Sequence, residues 1–362
     1  MPENEKIDAN QLMFLLVPTV ISTAILIVPN VVAMYTRQDG WISIIAAWFL
    51  VLASTLSIAA VCSHYPGSTL IQITGNLIGK WFEKTMCILY IYFFVLYITV
   101  PTNEIVDFTA LYALARTPPT ITMVLFLTLT GLAAWAGVEV IARAAGFMLP
   151  MAQIFVVIAT VLLMRDFHFD LLKPALSTPA PELLRGSLIP MAWLSETFIL
   201  GFLTPWLREL KPVVRITWWT MAMLGSTMVL VFLDTFLVLG PLTGHVTYSF
   251  YTAIRQVSIA NFIERIDPVV VSVWVYGVFI KVSLFLWLLC TAVQRLFALA
   301  NYRPLVLPTT LFCMVATMWT FRDAASMDQF LTYTIPMSSI LFQMLLPFMI
   351  YIVHLYKRSR RQ

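Results

Sequence analysis

Apolar residues run along this chain in long stretches separated by short polar, charged or Pro/Gly-bearing breaks. Ten stretches reach or approach the roughly 20 residues that a helix needs to cross a hydrocarbon layer. They cover residues 12–36, 41–63, 81–112, 119–138, 144–164, 187–207, 214–240, 269–294, 304–320 and 334–356. The pattern predicts an all-α polytopic membrane protein, a single transmembrane domain over 1–362 with both termini on one side. The third stretch is too long to stand upright and carries Pro101, Glu104 and Asp107 toward its end, so a strong tilt is expected. Two connections are long. Residues 165–186 are rich in proline and charge and read as an ordered loop or short helix. In 245–268, Phe250, Ile254, Val257 or Ser258, and Phe262 recur at helical spacing opposite Arg255, Asn261 and Arg265. That spacing predicts an amphipathic helix, either lying on the membrane surface or capping the bundle.

Breaks inside a span point to sites, because backbone amides in lipid must be satisfied and irregular helix persists only where protein covers it or a cavity borders it. Pro18 and Pro29 enclose Ser22 and Thr23 in the first span, and Pro190 and Pro205 enclose Ser195, Glu196, Thr197 and Gly201 in the sixth. Two proline-flanked, polar-centred spans five places apart fit a 5+5 inverted repeat with discontinuous helices 1 and 6 and a ligand at the repeat interface. They fit equally well prolines that merely kink membrane helices.

Composition narrows the function classes. Sixty per cent apolar and 11% charged residues exclude a soluble enzyme domain, and a net charge of +4 excludes a nucleic-acid binder. No nucleophile elbow, P-loop or catalytic carboxylate couple is present, so no enzyme activity and no cofactor are expected. Cys62, Cys87, Cys290 and Cys313 sit in apolar stretches as buried thiols, and His64, His168, His245 and His354 at stretch edges form no metal-like cluster; no metal site is proposed. The acidic start MPENEKIDANQ lacks a signal-peptide pattern. With both termini inside, thirteen Lys and Arg fall on the inner side and eight on the outer, and the KRSRR tail anchors to an anionic inner leaflet.

Ionisable residues within spans are costly and default to functional suspicion. Glu196 in the sixth span and Lys281 in the eighth lie too deep to reach an interface, so pairing between them, or with other buried groups, is expected. Glu196 reads as a polar anchor of the unwound segment, fixing its backbone or relaying a proton, or as a structural acceptor for its freed amides. Lys281 reads as an ammonium in the place of a coupling cation. Glu104, Asp107 and Glu139 are expected to be solvated or paired at helix ends, with Asp234 intermediate.

The chain resembles the B, or permease-like, subunit of the GerA-type nutrient receptors of spore-forming bacteria, within the amino acid–polyamine–organocation superfamily. ILIVPN in the first span, QDGW opening the second, HYPGSTLIQITGNLIGK, RTPPTI, LSETFIL and IANFIERIDPVVVSVW carry the resemblance in order along nearly the whole chain. It implies a LeuT-like ten-helix core in the spore inner membrane, with termini on the core side. That core would sense a small germinant, mainly an amino acid, together with an A-type membrane subunit and a C-type lipoprotein. Carried onto this sequence, the family's pocket nominates Ser22, Thr23, Ala24, Tyr97, Val100, Ser195, Glu196, Thr197 and Ser283 as ligand-binding residues, with Lys281 beside them. Superfamily members carry glycine at the first-helix break where this chain has Ser22-Thr23-Ala24, which leaves open whether backbone or hydroxyls meet a ligand. The rival readings are a secondary amino acid transporter coupled to a proton or sodium, and an ion or solute channel subunit of the receptor.

Overall fold

The computed structural model describes residues 5–113, 116–256, 267–321 and 324–360. Every named element among them is helical. Among the described residues, eight stretches are long and apolar enough to cross a membrane; the first, Ala9–His64, contains two helices joined at residues 37–39. The helices that frame the site are α1 (Ala9–Thr36), α2 (Gly40–His64), α3 (Leu70–Leu77, a short helix between spans), α4 (Lys80–Phe108), α5 (Pro119–Ala136) and α6 (Val138–Leu163). There follow α7 (Ala180–Leu194), α8 (Leu200–Leu203), α9 (Val213–Leu239), α10 (Ser249–Arg255), α11 (Asp267–Leu296) and α12 (Arg303–Thr320). The last stretch is α13 (Ala324–Gln329), α14 (Ile335–Ser339) and α15 (Leu346–Ser359), joined by wide π-type turns at Phe330–Thr334 and Ile340–Leu345.

The two proline-flanked spans behave differently. The sixth is interrupted: α7 gives way at Ser195–Ile199 to a tighter 3₁₀ segment, α8 lasts one turn, and a second 3₁₀ turn at Thr204–Trp206 ends it. Hydroxyls lie against carbonyls there, Ser195 Oγ 3.1 Å from the Ala192 oxygen and Thr197 Oγ1 2.9 Å from that of Leu194. The first runs unbroken from Ala9 to Thr36 with Pro18 and Pro29 inside it, contrary to the expected interruption. Thr19 donates to the Leu15 carbonyl (2.7 Å) and Ser22 to the Thr19 carbonyl (3.3 Å), and the helix is buried from Leu15 to Ala24, so protein on every side supports it through the prolines.

The face that carries both termini is tied together by polar contacts. Residues 5–8 form a clasp: Ile7 pairs with Leu207 in an isolated parallel bridge, Glu5 receives Arg303 (3.0 Å), and Asp8 receives Arg208 (3.3 Å). At the other end of the chain, Lys357 donates to the Leu77 carbonyl, Arg358 meets His64 (3.1 Å) and Tyr65 meets His354 (3.1 Å), fastening α15 to the α2–α3 corner. On the far face, the buried Asp39 carboxylate accepts from the amides of Leu176 (2.8 Å) and Thr178 (2.9 Å) and fixes the long connection before α7. Phe250, Tyr251 and Ile254 of α10 are buried, so this helix caps the bundle rather than lying on a surface. The rest of the expected amphipathic segment, including Asn261, Phe262 and Arg265, lies outside the described residues.

Candidate functional site

At mid-height the break after α7 faces α1, α4 and α11, and there the buried polar chemistry gathers. Lys281 Nζ donates to Glu196 Oε1 (2.7 Å) and to Thr23 Oγ1 (2.7 Å), and both charged side chains are almost wholly shielded from solvent. Thr23 also accepts from Trp193 Nε1 (3.0 Å), so one hydroxyl ties α1, α7 and α11 together. Lys281 lies over the Tyr97 ring at 5.5 Å, a cation–π contact that suits a desolvated ammonium. Tyr97 in turn accepts from Gln343 (2.6 Å) and meets Ser339 (3.2 Å), while Ser195 donates to Gln343 Oε1 (2.5 Å). A buried ion pair is held only if such additional contacts offset the loss of water, and Thr23 and Tyr97 supply them.

This network borders a cavity of about 20 Å³, enough for one water and too small for an amino acid. Thr23, Tyr97, Val100, Glu196 and Lys281 line it together with Glu104, Trp193 and Leu331. Five of the residues expected at a pocket thus come together. The others do not line it. Ser195 is one hydrogen bond removed, and Thr197 turns to Thr55 (2.8 Å) on α2. Ser22 borders a small apolar cavity against α6 and α11, Ala24 faces α9, and Ser283 is buried elsewhere.

Glu104 is the residue that sequence reasoning misplaced. Expected at a solvated helix end, it is 2% exposed and lines the cavity, because α4 sits centrally and its neighbours cover it along much of its length. Gln343 and Ser339 went unnoticed because the π-type turns shift the helical register of the last span and hide which face looks inward. Asp234 is also buried, donated to by Thr160 (2.6 Å), whereas Glu139 pairs with Arg143 (2.5 Å) near an exposed end. The four cysteines are free and buried, and no cluster of metal-ligating side chains occurs among the described residues.

Two larger cavities of about 300 Å³ each approach the small one from opposite faces. On the far face, one is lined by Asn30, Tyr35, Tyr248, Tyr333 and Leu331; Leu331 also lines the midplane cavity, so a single side chain borders both. On the terminus face, the other is lined by Gln72, Phe202, Trp206, Thr291 and Arg295. Between it and the midplane stands an aromatic wall in which Tyr90, Phe94, Phe198 and Phe202 pack at centroid distances of 4.9 to 6.0 Å. Phe285 joins it to Tyr97 at 5.0 Å.

Comparison with solved structures places this architecture. MhsT in complex with L-phenylalanine superposes with a TM-score of 0.65 at 11% identity, covering 97% of this chain and 99% of that one. Mhp1, a nucleobase-cation-symport-1 family transporter in a closed conformation, gives 0.54 at 14% identity over 94% of this chain and 78% of that one. At such identities the likeness shows the fold alone, that of LeuT-type transporters. In sequence, the chain is 22% identical to spore germination protein KB of Bacillus subtilis (strain 168), over 99% of this chain and 97% of that one. It is 24% identical to spore germination protein XB of Bacillus anthracis, over 90% and 92%. A family model described as spore germination protein matches residues 6–325, and with the fold and the relatives just given, the chain belongs to that family of spore germination permeases.

Proposed function

We propose that this chain is the membrane subunit of a germinant receptor. It binds a small polar nutrient, an amino acid, beside the break between α7 and α8, and triggers germination with an A-type membrane subunit and a C-type lipoprotein. In this reading it lies in the spore inner membrane with its termini on the core side. The observation that carries the reading is the small midplane cavity, where the Glu196–Lys281 pair and the Thr23 hydroxyl tie an interrupted helix to α1 and α11. A guest that enters must displace Leu331 or spread these helices, and so shifts a two-state bundle by its differential affinity for the open form. Thr23→Leu fills the cavity and removes the shared acceptor. Spores carrying it are expected to lose or shift their nutrient dose response at normal protein level, and an unchanged response removes the pocket from this place.

A second reading, a secondary amino acid carrier coupled to a proton or sodium, is favoured by the pair of 300 Å³ cavities that approach one small site from opposite faces. Uptake of radiolabelled amino acids by vesicles holding this chain alone supports the carrier. A nutrient response that requires the neighbouring subunits, with no uptake, supports the receptor.

A further inference from the structure

The midplane cavity has more acceptors than donors to meet them. Two carboxyl groups, those of Glu104 and Glu196, and one amine, that of Lys281, border a space of about 20 Å³, and each residue is 2% exposed. Lys281 is committed to Glu196 Oε1 and Thr23. The Oε2 atoms of both Glu104 and Glu196 are buried and have no hydrogen-bond partner among the described residues. The donors that border the cavity are already engaged: Trp193 with Thr23, and Tyr97 with Gln343 and Ser339. What the lining has left over is acceptor capacity. A buried acceptor without a donor costs about 1–3 kcal/mol, and more when it is charged, so a guest that brings donors and a positive charge gains what the protein alone leaves unsatisfied. The charged groups that face Glu104 are Lys281 from α11, Glu196 from the broken span and Asp107 from its own helix, and Lys281 is the one cation among them.

We propose that Glu104, with the free oxygen of Glu196, is the seat for a protonated amine on the guest molecule, and that the cavity selects an ammonium-bearing nutrient rather than a carboxylate-bearing one. The arriving ammonium favours the ionised form of both carboxyl groups, so that two carboxylates face two cations. The guest's apolar body then meets Leu96, Val100, Leu331 and Ile335. The inference rests on the nutrient-binding reading above, and adds to it which end of the nutrient is recognised and by which residue.

The test uses the full chain in detergent or nanodiscs, with thermal stabilisation as the readout. The probes are the common amino acids, each accompanied by its decarboxylated amine and its deaminated acid. The expected result is stabilisation by at least one amine-bearing probe, retained by its decarboxylated amine and absent with its deaminated acid. In Glu104→Gln the affinity for that probe falls by about tenfold or more, the loss that follows when the ammonium meets a neutral amide in place of a charged acceptor. Glu104→Asp, which keeps the charge on a shorter arm, retains part of the affinity. A deaminated acid that stabilises the wild-type chain as well as its amine overturns the inference, and needs no variant to do so. Binding unchanged in a folded Glu104→Gln protein overturns it too. Failure of every probe to bind the wild-type chain instead removes the nutrient-binding reading, and this inference with it.

Discussion

Glu196 and Lys281 are each other's main justification. Removing one partner of a buried ion pair leaves a charge without compensation and typically costs 3–5 kcal/mol. Glu196→Gln and Lys281→Met are therefore each expected to lower the unfolding temperature sharply, with the double replacement less destabilised than the two losses added together. A double-mutant cycle followed by thermal unfolding in detergent checks this, and additive losses would dissolve the coupling. Lys281→Met is also expected to reduce the nutrient response in whatever fraction of chains inserts. At this scale the sequence was informative: two ionisable groups isolated in long apolar runs have few partners available, and Thr23 stood between the prolines of the first span. Glu104 escaped because three polar or helix-disturbing residues near the end of an overlong run resemble an emerging helix, and only the surrounding bundle reveals that it does not emerge.

Among the elements, the last span shows why patterns along one chain leave part of a site unread. The π-type turn at Ile340–Leu345 inserts extra backbone, and Gln343 thereby points between the broken span and α4, where it donates to Tyr97 and accepts from Ser195. Gln343→Leu keeps the volume but removes the link between two hydroxyls, leaving Tyr97 with Ser339 and Ser195 with the Ala192 carbonyl, an expected loss of about 1 kcal/mol seen as a lower unfolding temperature. The broken span itself was readable, because proline and clustered hydroxyl residues mark where amide hydrogen bonds are given up. The first span carried the same marks yet stays helical, since kinking and interruption leave the same trace in sequence and differ only in what packs around them.

Across the whole molecule, access to the midplane is uneven. From the far face one aliphatic side chain, Leu331, borders both cavities, whereas from the terminus face a layer of aromatic rings intervenes. A cysteine at Val100 should react slowly with a membrane-impermeant thiol reagent, and faster when Leu331 is shortened to Ala. Phe198→Ala should have a much smaller effect on labelling from that side. The native cysteines are buried and give little background. Labelling rates indifferent to Leu331 would place the route elsewhere. The all-helical membrane class was evident from run length alone, while the depth of each barrier depends on how rings from three separate helices interlock, which spacing does not encode.

The clasp of residues 5–8 ties the start of the chain to the end of the sixth span and to Arg303. Anything fused ahead of Glu5 therefore hangs from a lever attached to the interrupted rod. An affinity handle or fluorescent reporter on that end should bias or mute the proposed nutrient response, whereas the same cargo behind Arg360 should be better tolerated, its nearest anchorage being the α2–α3 corner.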